Sequence, residues 1–549
     1  MLGGIDWFVI ALYFLGVFAV AIWATWKEKH REKETSADYF LAGRHAGWFV
    51  IGASLFASNI GAEHLVGLAG TGASSGVAVG QFEVQASLML VLLGWLFVPF
   101  YLRSGVFTMP EFLERRFSPA CRWYMAIVSI IAYVMTKIAV NIAAGGIVLS
   151  TFGINFWAGA LIVVIVTGVY TVFGGMRAVL YTDMVQMFVF LGGGAAVIYF
   201  GLRELGGWNE MVQIAGREHL TMWKPVTDPS FPWTGILFGA PILGMWYWCT
   251  DQFIVQRVLS APNKEEARRG SLFAGLLKLL PLFLFVLPGV IAFCLAKTDK
   301  LELDIATQAD QALPVLVQNL LPVGLRGLVV AGLLAAIMSS LSSVYNSCSS
   351  LVTWDIYKKL KPSASEKELV IVGQMATVVM VGFGLAWIPL MKGVSPQIYG
   401  YLQSVQAYIA PPITAVFFLG LLWKRINRHG AIVSLLVGFV LGMGRLVLEL
   451  SKGRLPEGSV LFWLADINFL HFAILLLGVS VTLLVVVSLL TPPEDARKLA
   501  GLTVATVPPA EALEITPELR RQHQINVGWT VVLVGCVAAI WYYFSPLTQ

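Results

Sequence analysis

Residues 47–72 read GWFVIGASLFASNIGAEHLVGLAGTG. The stretch is long enough to cross a bilayer, which takes about 20 largely apolar residues. Its middle is not membrane-like. Ala57–Ser58–Asn59–Ile60–Gly61–Ala62–Glu63–His64 interrupts the apolar run with a glycine, two small polar side chains, a carboxylate and an imidazole. Unwound backbone at membrane depth is tolerated only where it lines a cavity or is buried in protein. A second interruption stands in the run 233–251, where Gly239, Pro241 and Gly244 precede Trp246–Tyr247–Trp248–Cys249–Thr250–Asp251. The two breaks lie five helices apart. That placement predicts two five-helix inverted repeats, about 47–201 and 233–423, each opening on a discontinuous helix, and matched breaks of this kind point to a transporter's binding site. A glycine-rich packing helix accounts for either break alone but not for their correspondence.

The whole chain fits that reading. Of 549 residues 57% are hydrophobic and 13% charged, against roughly 25% charged in soluble domains. The 18 tryptophans suit interfacial belts. Fourteen spans are expected, at about 5–26, 47–72, 76–102, 122–150, 154–174, 179–201, 233–251, 270–296, 326–352, 368–391, 396–423, 429–449, 467–490 and 526–545. The fold class is therefore all-α integral membrane. Residues 1–46 add an N-terminal helix and a cytoplasmic loop, and 202–232 form an outer loop. Residues 424–549 add three helices around a linker at 491–525, rich in Pro492, Pro493, Pro508 and Pro509. Ile5–Trp26 lacks a basic n-region and a small-residue cleavage site, so it reads as a retained helix.

Twenty-five of the 37 basic residues fall on alternate connections, including Lys27, Lys29, Arg31, Lys33, Arg116, Arg122, Arg177, Arg257 and Arg268. The positive-inside rule makes that side cytoplasmic. Both termini then face outward, in the plasma (cell inner) membrane. The five cysteines, Cys121, Cys249, Cys294, Cys348 and Cys536, show neither metal spacing nor a paired framework. No nucleophile–base pair, carboxylate dyad or metal cluster supports an enzyme, and the short loops leave no room for a nucleotide-binding domain. No organic cofactor, nucleic acid or obligatory protein partner is expected.

Charges inside a membrane are expensive and mark pathways or sites. Here they are Glu83, Lys137, Asp183 and Lys278, with Glu63 and His64 in the first break. A further feature is the run Ala335–Ala336–Ile337–Met338–Ser339–Ser340–Leu341–Ser342–Ser343. Ala336, Ser339 and Ser340 share one helix face, and Ser342 and Ser343 extend it. Two readings of these serines stand: oxygen ligands for a hard cation, or small residues that let helices approach closely.

Several motifs occur in order at intervals resembling those of the sodium–glucose cotransporters, a branch of the sodium/solute symporter family. They are Ile51-GASLFASNIGAEHLVGLAGTG-Ala73, Tyr170-TVFGGMRAV-Leu180, Trp246-YWCTDQFIVQR-Val258, Gly275-LLKLLP-Leu282, Leu334-AAIMSSLSS-Val344, Tyr399-GYLQS-Val405 and Leu422-WKRIN-Arg428. The likeness runs from about residue 38 to 450. It implies a LeuT-like core and the lipid bilayer, sodium and a small sugar as partners. The sugar site it implies comprises Asn59, His64, Glu83, Tyr247, Trp248, Lys278 and Gln403. Its common sodium site matches Ala57, Ile60, Ala336, Ser339 and Ser340, and a second sodium would match Ser342, Ser343 and Asp183. Outer gates match Leu68, Phe82 and Tyr399, and the inner gate includes Tyr247. Glu63 departs from the small residue expected of the animal carriers. The resulting expectation is sodium-coupled, electrogenic hexose symport by alternating access. The alternatives are a symporter of another polyol such as myo-inositol, and a sugar-gated sodium conductance acting as a sensor.

Overall fold

The computed structural model describes residues 2–26, 44–391, 397–506 and 517–547. Lys27, Lys29, Arg31 and Lys33 and the 507–516 part of the linker lie outside the described residues. Among those described, ten helices are long and apolar enough to cross a membrane. The chain order is α1 (Gly4–Trp26), α2 (Trp48–Asn59), α3 (63–75), α4 (81–104), α5 (Met109–Arg116), α6 (Pro119–Thr151), α7 (Phe156–Leu205), α8 (Trp208–Leu220), α9 (235–250), α10 (Gln252–Leu259), α11 (Lys264–Lys297), α12 (Ala312–Leu320), α13 (Leu325–Leu360), α14 (Glu366–Met391), α15 (Ile398–Leu422), α16 (Arg428–Leu450), α17 (Phe469–Leu490) and α18 (Pro517–Tyr543).

The distribution of side chains inverts that of a soluble protein. Phe8, Val378, Phe383, Val440 and Leu490 are exposed, whereas Asp183, Arg257 and Lys278 are buried. A large apolar exterior of this kind needs a nonaqueous surround.

The first expected break is present; the second comes later than expected, because 235–250 stays helical through Gly239, Pro241 and Gly244 and the helix stops only at Asp251. α2 ends at Asn59, Ile60 is extended (φ −70°, ψ 101°), and the chain resumes as α3 at Glu63. α9 ends at Thr250, Asp251 is extended (φ −76°, ψ 130°), and α10 follows. Gly61 is required at the first break, because a Cβ there would strike the Ser340 hydroxyl and come within 3.0 Å of Asn141 Oδ1. Wide π-helical turns occur at Glu63–Leu68, Val134–Ile138 and Trp246–Thr250. Such turns re-aim side chains and are frequent at functional sites.

Two expectations change. The spans read as 154–174 and 179–201 lie in one helical run, α7, of 50 residues. A straight helix of that length would be about 75 Å, more than twice the hydrocarbon thickness. Its two apolar parts pack on different neighbours. In the first, Val163 lies against Gly145 of α6, whereas Gly194 and Gly201 of the second lie against Leu284 and Ile291 of α11. The expected interruption around Arg177 is helical, and the Arg177 side chain lies outside the described residues.

The second change concerns basic residues assigned to cytoplasmic connections. Arg116, Arg122, Arg257 and Arg268 are buried. Arg116 donates to the carbonyls of Gly420 (2.8 Å) and Ile426 (2.9 Å). Arg122 bridges Glu114 (2.5 Å) and Asp355 (2.6 Å), tying α6 to the end of α13. Arg116 and Arg122 act as internal ties rather than free loop cations.

The connection between α11 and α13 folds back onto α3 and α15. Asp310 Oδ2 accepts the Ile398 N–H at 3.1 Å, at the start of α15, and its Oδ1 faces Gly70 so closely that a Cβ there could not fit. Burial, partly offset by the Ile398 N–H, pushes the Asp310 carboxyl up to about 7. The folded state therefore holds a proton that the unfolded chain, with an ordinary aspartate near 3.9, releases. Stability contributed by that proton is lost as pH rises from about 4 to 7. Asp310→Asn should flatten this dependence: in thermal unfolding of the purified protein, the wild type should lose more of its Tm between pH 5 and pH 8 than the variant does.

Candidate functional site

The two breaks face one stripe of α6. Tyr133, Lys137 and Asn141 stand at intervals of four, on one helix face. Asn141 Oδ1 accepts the Ala62 N–H at 3.1 Å, inside the first break, and its amide donates back to the Lys137 carbonyl at 2.7 Å. Lys137 forms an ion pair with Glu63. The Tyr133 hydroxyl donates to Asp251 at the second break, and Asp251 Oδ1 in turn accepts the Phe253 N–H at 3.1 Å. Each interruption thus finds hydrogen-bond partners inside the protein, as a membrane interior demands.

Between the breaks lies a cavity. Asn59, Glu63, His64, Glu83, Lys137, Tyr247, Trp248, Gln403 and Gln406 line it, each under a tenth exposed. Lys278, expected at the sugar site, is fully buried behind the lining and does not itself face the cavity. It forms an ion pair with Glu83, donates to Asn59 Oδ1 at 2.6 Å, and lies 3.0 Å from His64 Nε2. His64 Nε2 is also 3.3 Å from Glu83 Oε1, so one nitrogen is shared between a donor and an acceptor, and its tautomer decides which it serves. Asn59 passes the network on by donating to the Tyr247 hydroxyl at 2.7 Å. Lys278 Nζ sits 5.3 Å from the Trp248 ring centre, and Lys137 Nζ 4.6 Å from that of Tyr247. The two rings meet edge to face at 5.1 Å. Two carboxylates and two ammonium groups leave the cavity neutral overall when His64 is neutral, a balance suited to an uncharged, hydroxyl-rich solute.

At one margin of the cavity Phe82 meets Tyr399 edge to face at 5.7 Å and Phe231 at 6.0 Å. Leu68 is fully buried nearby on α3 and does not line the cavity.

The serine face of α13 lies against the first break. Ser340 Oγ donates to the Ser58 carbonyl at 2.9 Å. Ending α2 at Asn59 frees its last carbonyls from helical partners, and Ala57, Ile60, Ala336, Ser339 and Ser340 are all buried. A hydroxyl that donates its proton keeps lone pairs for a cation. Beyond them, Asp183 accepts from Ser339 and from Ser54 Oγ at 2.9 Å. Ser342 instead donates back to the Ser339 carbonyl at 3.0 Å. Ser343 joins the cluster through Arg257, whose Nη2 is 2.6 Å from Ser343 Oγ and 3.9 Å from Asp183 Oδ2.

Arg257 was not among the expected site residues, and neither were Tyr133, Asn141 and Gln85. Tyr133 and Asn141 had a signal in their four-residue spacing from Lys137. Gln85 lines the cavity, and its amide donates to the Ile236 carbonyl at 2.9 Å. Arg257 sits within the motif Trp246–Val258, but its position beside a basic connection disguised it.

The sodium:solute symporter family model matches residues 39–438. The chain belongs to the sodium:solute symporter family. It is accordingly a multi-pass membrane transporter rather than an enzyme, with sodium as the coupling ion. Similar proteins include sodium/glucose cotransporter 1 of Oryctolagus cuniculus, 39% identical over 524 residues, covering 88% of this chain and 78% of the relative. Sodium/glucose cotransporter 4 of Mus musculus is 39% identical over 533 residues (91% and 77%). The sodium/myo-inositol cotransporter of Homo sapiens is 39% identical over 538 residues (90% and 74%). Among solved structures, a Na⁺-coupled sialic acid symporter in a substrate-bound outward-open state aligns with a TM-score of 0.74 at 23% identity, covering 90% of this chain and 99% of that one. Mhp1 in a closed conformation aligns with a TM-score of 0.52 at 16% identity (85% and 99%). Those two likenesses establish the fold as LeuT-like.

The Lys278–Glu83 pair carries a direct test. Lys278→Met strands a buried carboxylate, a loss of about 3–5 kcal/mol. Adding Glu83→Gln removes the stranded charge and should recover most of that loss. Chemical unfolding of the single and double variants in detergent checks this; additive losses would contradict a coupled pair.

Proposed function

We propose that this transporter moves a hexose of the glucose or galactose type together with sodium by alternating access. The observation that carries the reading is the Lys278 node, where one ammonium joins Glu83, Asn59 and His64 beside the Trp248 ring. A hexose presents hydroxyls that both donate and accept, and an apolar C–H face. Asn59, His64, Glu83, Lys278 and Gln403 supply the complementary donors and acceptors, and Tyr247 and Trp248 supply flat apolar area. Such a site rejects analogues missing a hydroxyl, because its own buried polar groups are then left unpaired.

Sodium binds at the seam of Ala57, Ile60, Ala336, Ser339 and Ser340, and clamps the first break against α13. Sugar enters, and Phe82 and Tyr399 close over it with Leu68 behind them. The first-break and second-break bundles rock against the remaining helices of repeats 47–201 and 233–423, and Tyr247 yields on the inner side. A second sodium binds at Asp183, Ser342 and Ser343 with Arg257 as its neighbour, giving two sodium ions per sugar. Each charge moved inward gains about 2.3 kcal/mol per 100 mV. The protein lies in the plasma (cell inner) membrane with both termini outside. Myo-inositol is the second reading, supported by the sodium/myo-inositol cotransporter standing at the same 39% identity.

Lys278→Ala should raise the sugar KM about tenfold or more, the loss of a charge-assisted hydrogen bond. Ser340→Ala should raise the sodium concentration for half-maximal uptake. The reversal potential of the sugar-dependent current should follow two sodium ions per sugar; a value fitting one would remove the second site.

A further inference from the structure

The cavity contains a second ion pair that the hexose reading leaves without a task. Glu63, the first residue of α3, pairs through Oε1 with Lys137 of α6; the two are 3% and 4% exposed. Lys137 is held there from several sides. Its ammonium lies 4.6 Å from the Tyr247 ring centre and 5.5 Å from that of Phe253. Glu63 is different. Its second oxygen, Oε2, is buried and has no hydrogen-bond partner within the protein, yet Glu63 lines the cavity. A buried carboxylate oxygen left without a donor carries a desolvation penalty. With no hydrogen bond made to Oε2 inside the protein, the oxygen is open to a donor that arrives from the cavity.

Position narrows the chemistry of that donor. The Glu83–Lys278 pair sits beside Trp248 and the Glu63–Lys137 pair beside Tyr247, and these rings are neighbours. A flat solute resting against the two rings therefore meets a carboxylate acceptor at two separate places. An anionic group near Glu63 would meet like charge. A neutral O–H fits, donating one proton to Oε2 while Lys137 holds Oε1.

We propose that Glu63 determines specificity by accepting a hydrogen bond from one hydroxyl of the transported solute, a hydroxyl distinct from those met at the Glu83–Lys278 node. The inference rests on the neutral-polyol reading above. Glu63 adds to that reading the demand for one further, identifiable hydroxyl.

The test is a cycle between protein and ligand. Sodium-driven uptake into proteoliposomes is measured for D-glucose and each of its monodeoxy derivatives, in the wild type, in Glu63→Gln, and in the double variant Glu63→Ala/Lys137→Ala, which removes both charges and leaves neither stranded. In the wild type, removing one particular hydroxyl should raise KM about tenfold or more, the scale of a charge-assisted hydrogen bond. In both variants D-glucose should behave like that deoxy sugar, so that the ratio between them falls below about threefold, while the ratios at the other hydroxyls stay at their wild-type values. If every ratio keeps its wild-type value in both variants, Glu63 only balances Lys137 and the proposal fails. A wild type that takes up no hexose overturns the hexose reading separately; the same cycle is then run with myo-inositol and its monodeoxy derivatives and decides Glu63 by the same ratios.

Discussion

A peptide group that leaves the helix inside hydrocarbon has no water to turn to, and Ile60–Ala62 and Asp251 are such places. One face of α6 answers both. Asn141 takes the Ala62 N–H, Lys137 takes the carboxylate of Glu63, and Tyr133 takes the carboxylate of Asp251. Without these three side chains the broken helices would present unsatisfied polar groups at membrane depth, each costing several kcal/mol. With them, the breaks become fixed features whose ends can be pointed at a cavity. Everything proposed for transport depends on this support. The breaks expose carbonyls to the α13 serines, aim Asn59 and His64 at Lys278, and turn Tyr247 and Trp248 toward the same space.

Charge follows the same economy. The cavity holds Glu83 with Lys278 and Glu63 with Lys137, and the seam beyond the serines holds Asp183 with Arg257. Each of these six buried charges has an opposite neighbour. Buried pairs add little net stability, because desolvation offsets attraction. They are better understood as instruments of selection, offering strong donors and acceptors without net charge. The Asp183–Arg257 contact is looser, at 3.9 Å, and its acid already accepts from Ser54 and Ser339.

Much of this was legible in the sequence for physical reasons. Glycine, proline and polar residues inside apolar runs are costly, so the break within 57–64 announced itself, as did the isolated charges Glu83, Lys137, Asp183 and Lys278; the glycines and proline at 239–244 pointed to the second discontinuous helix but not to Asp251, where the helix actually stops. What stayed hidden was pairing. Glu63 and Lys137 are 74 residues apart, Asn59 and Lys278 are 219 apart, and no local pattern relates them. Arg257 was read as a loop cation because composition locates a charge along the chain but not its depth in the fold. Helical continuity through α7 was missed for a similar reason: a glycine pair and an arginine at 174–177 look like a turn, whereas backbone continuity depends on what packs around it.

The proposed transport cycle has a charge-balanced cavity between two supported helix breaks carry a neutral sugar at the expense of a sodium gradient. The most direct measurement is accumulation of labelled D-glucose in proteoliposomes of the purified protein under an inward sodium gradient, with an inward potassium gradient as the control. Uphill accumulation is expected with sodium alone, enhanced by an inside-negative potential and suppressed by competing unlabelled hexose. Equal uptake under the two gradients would contradict that cycle.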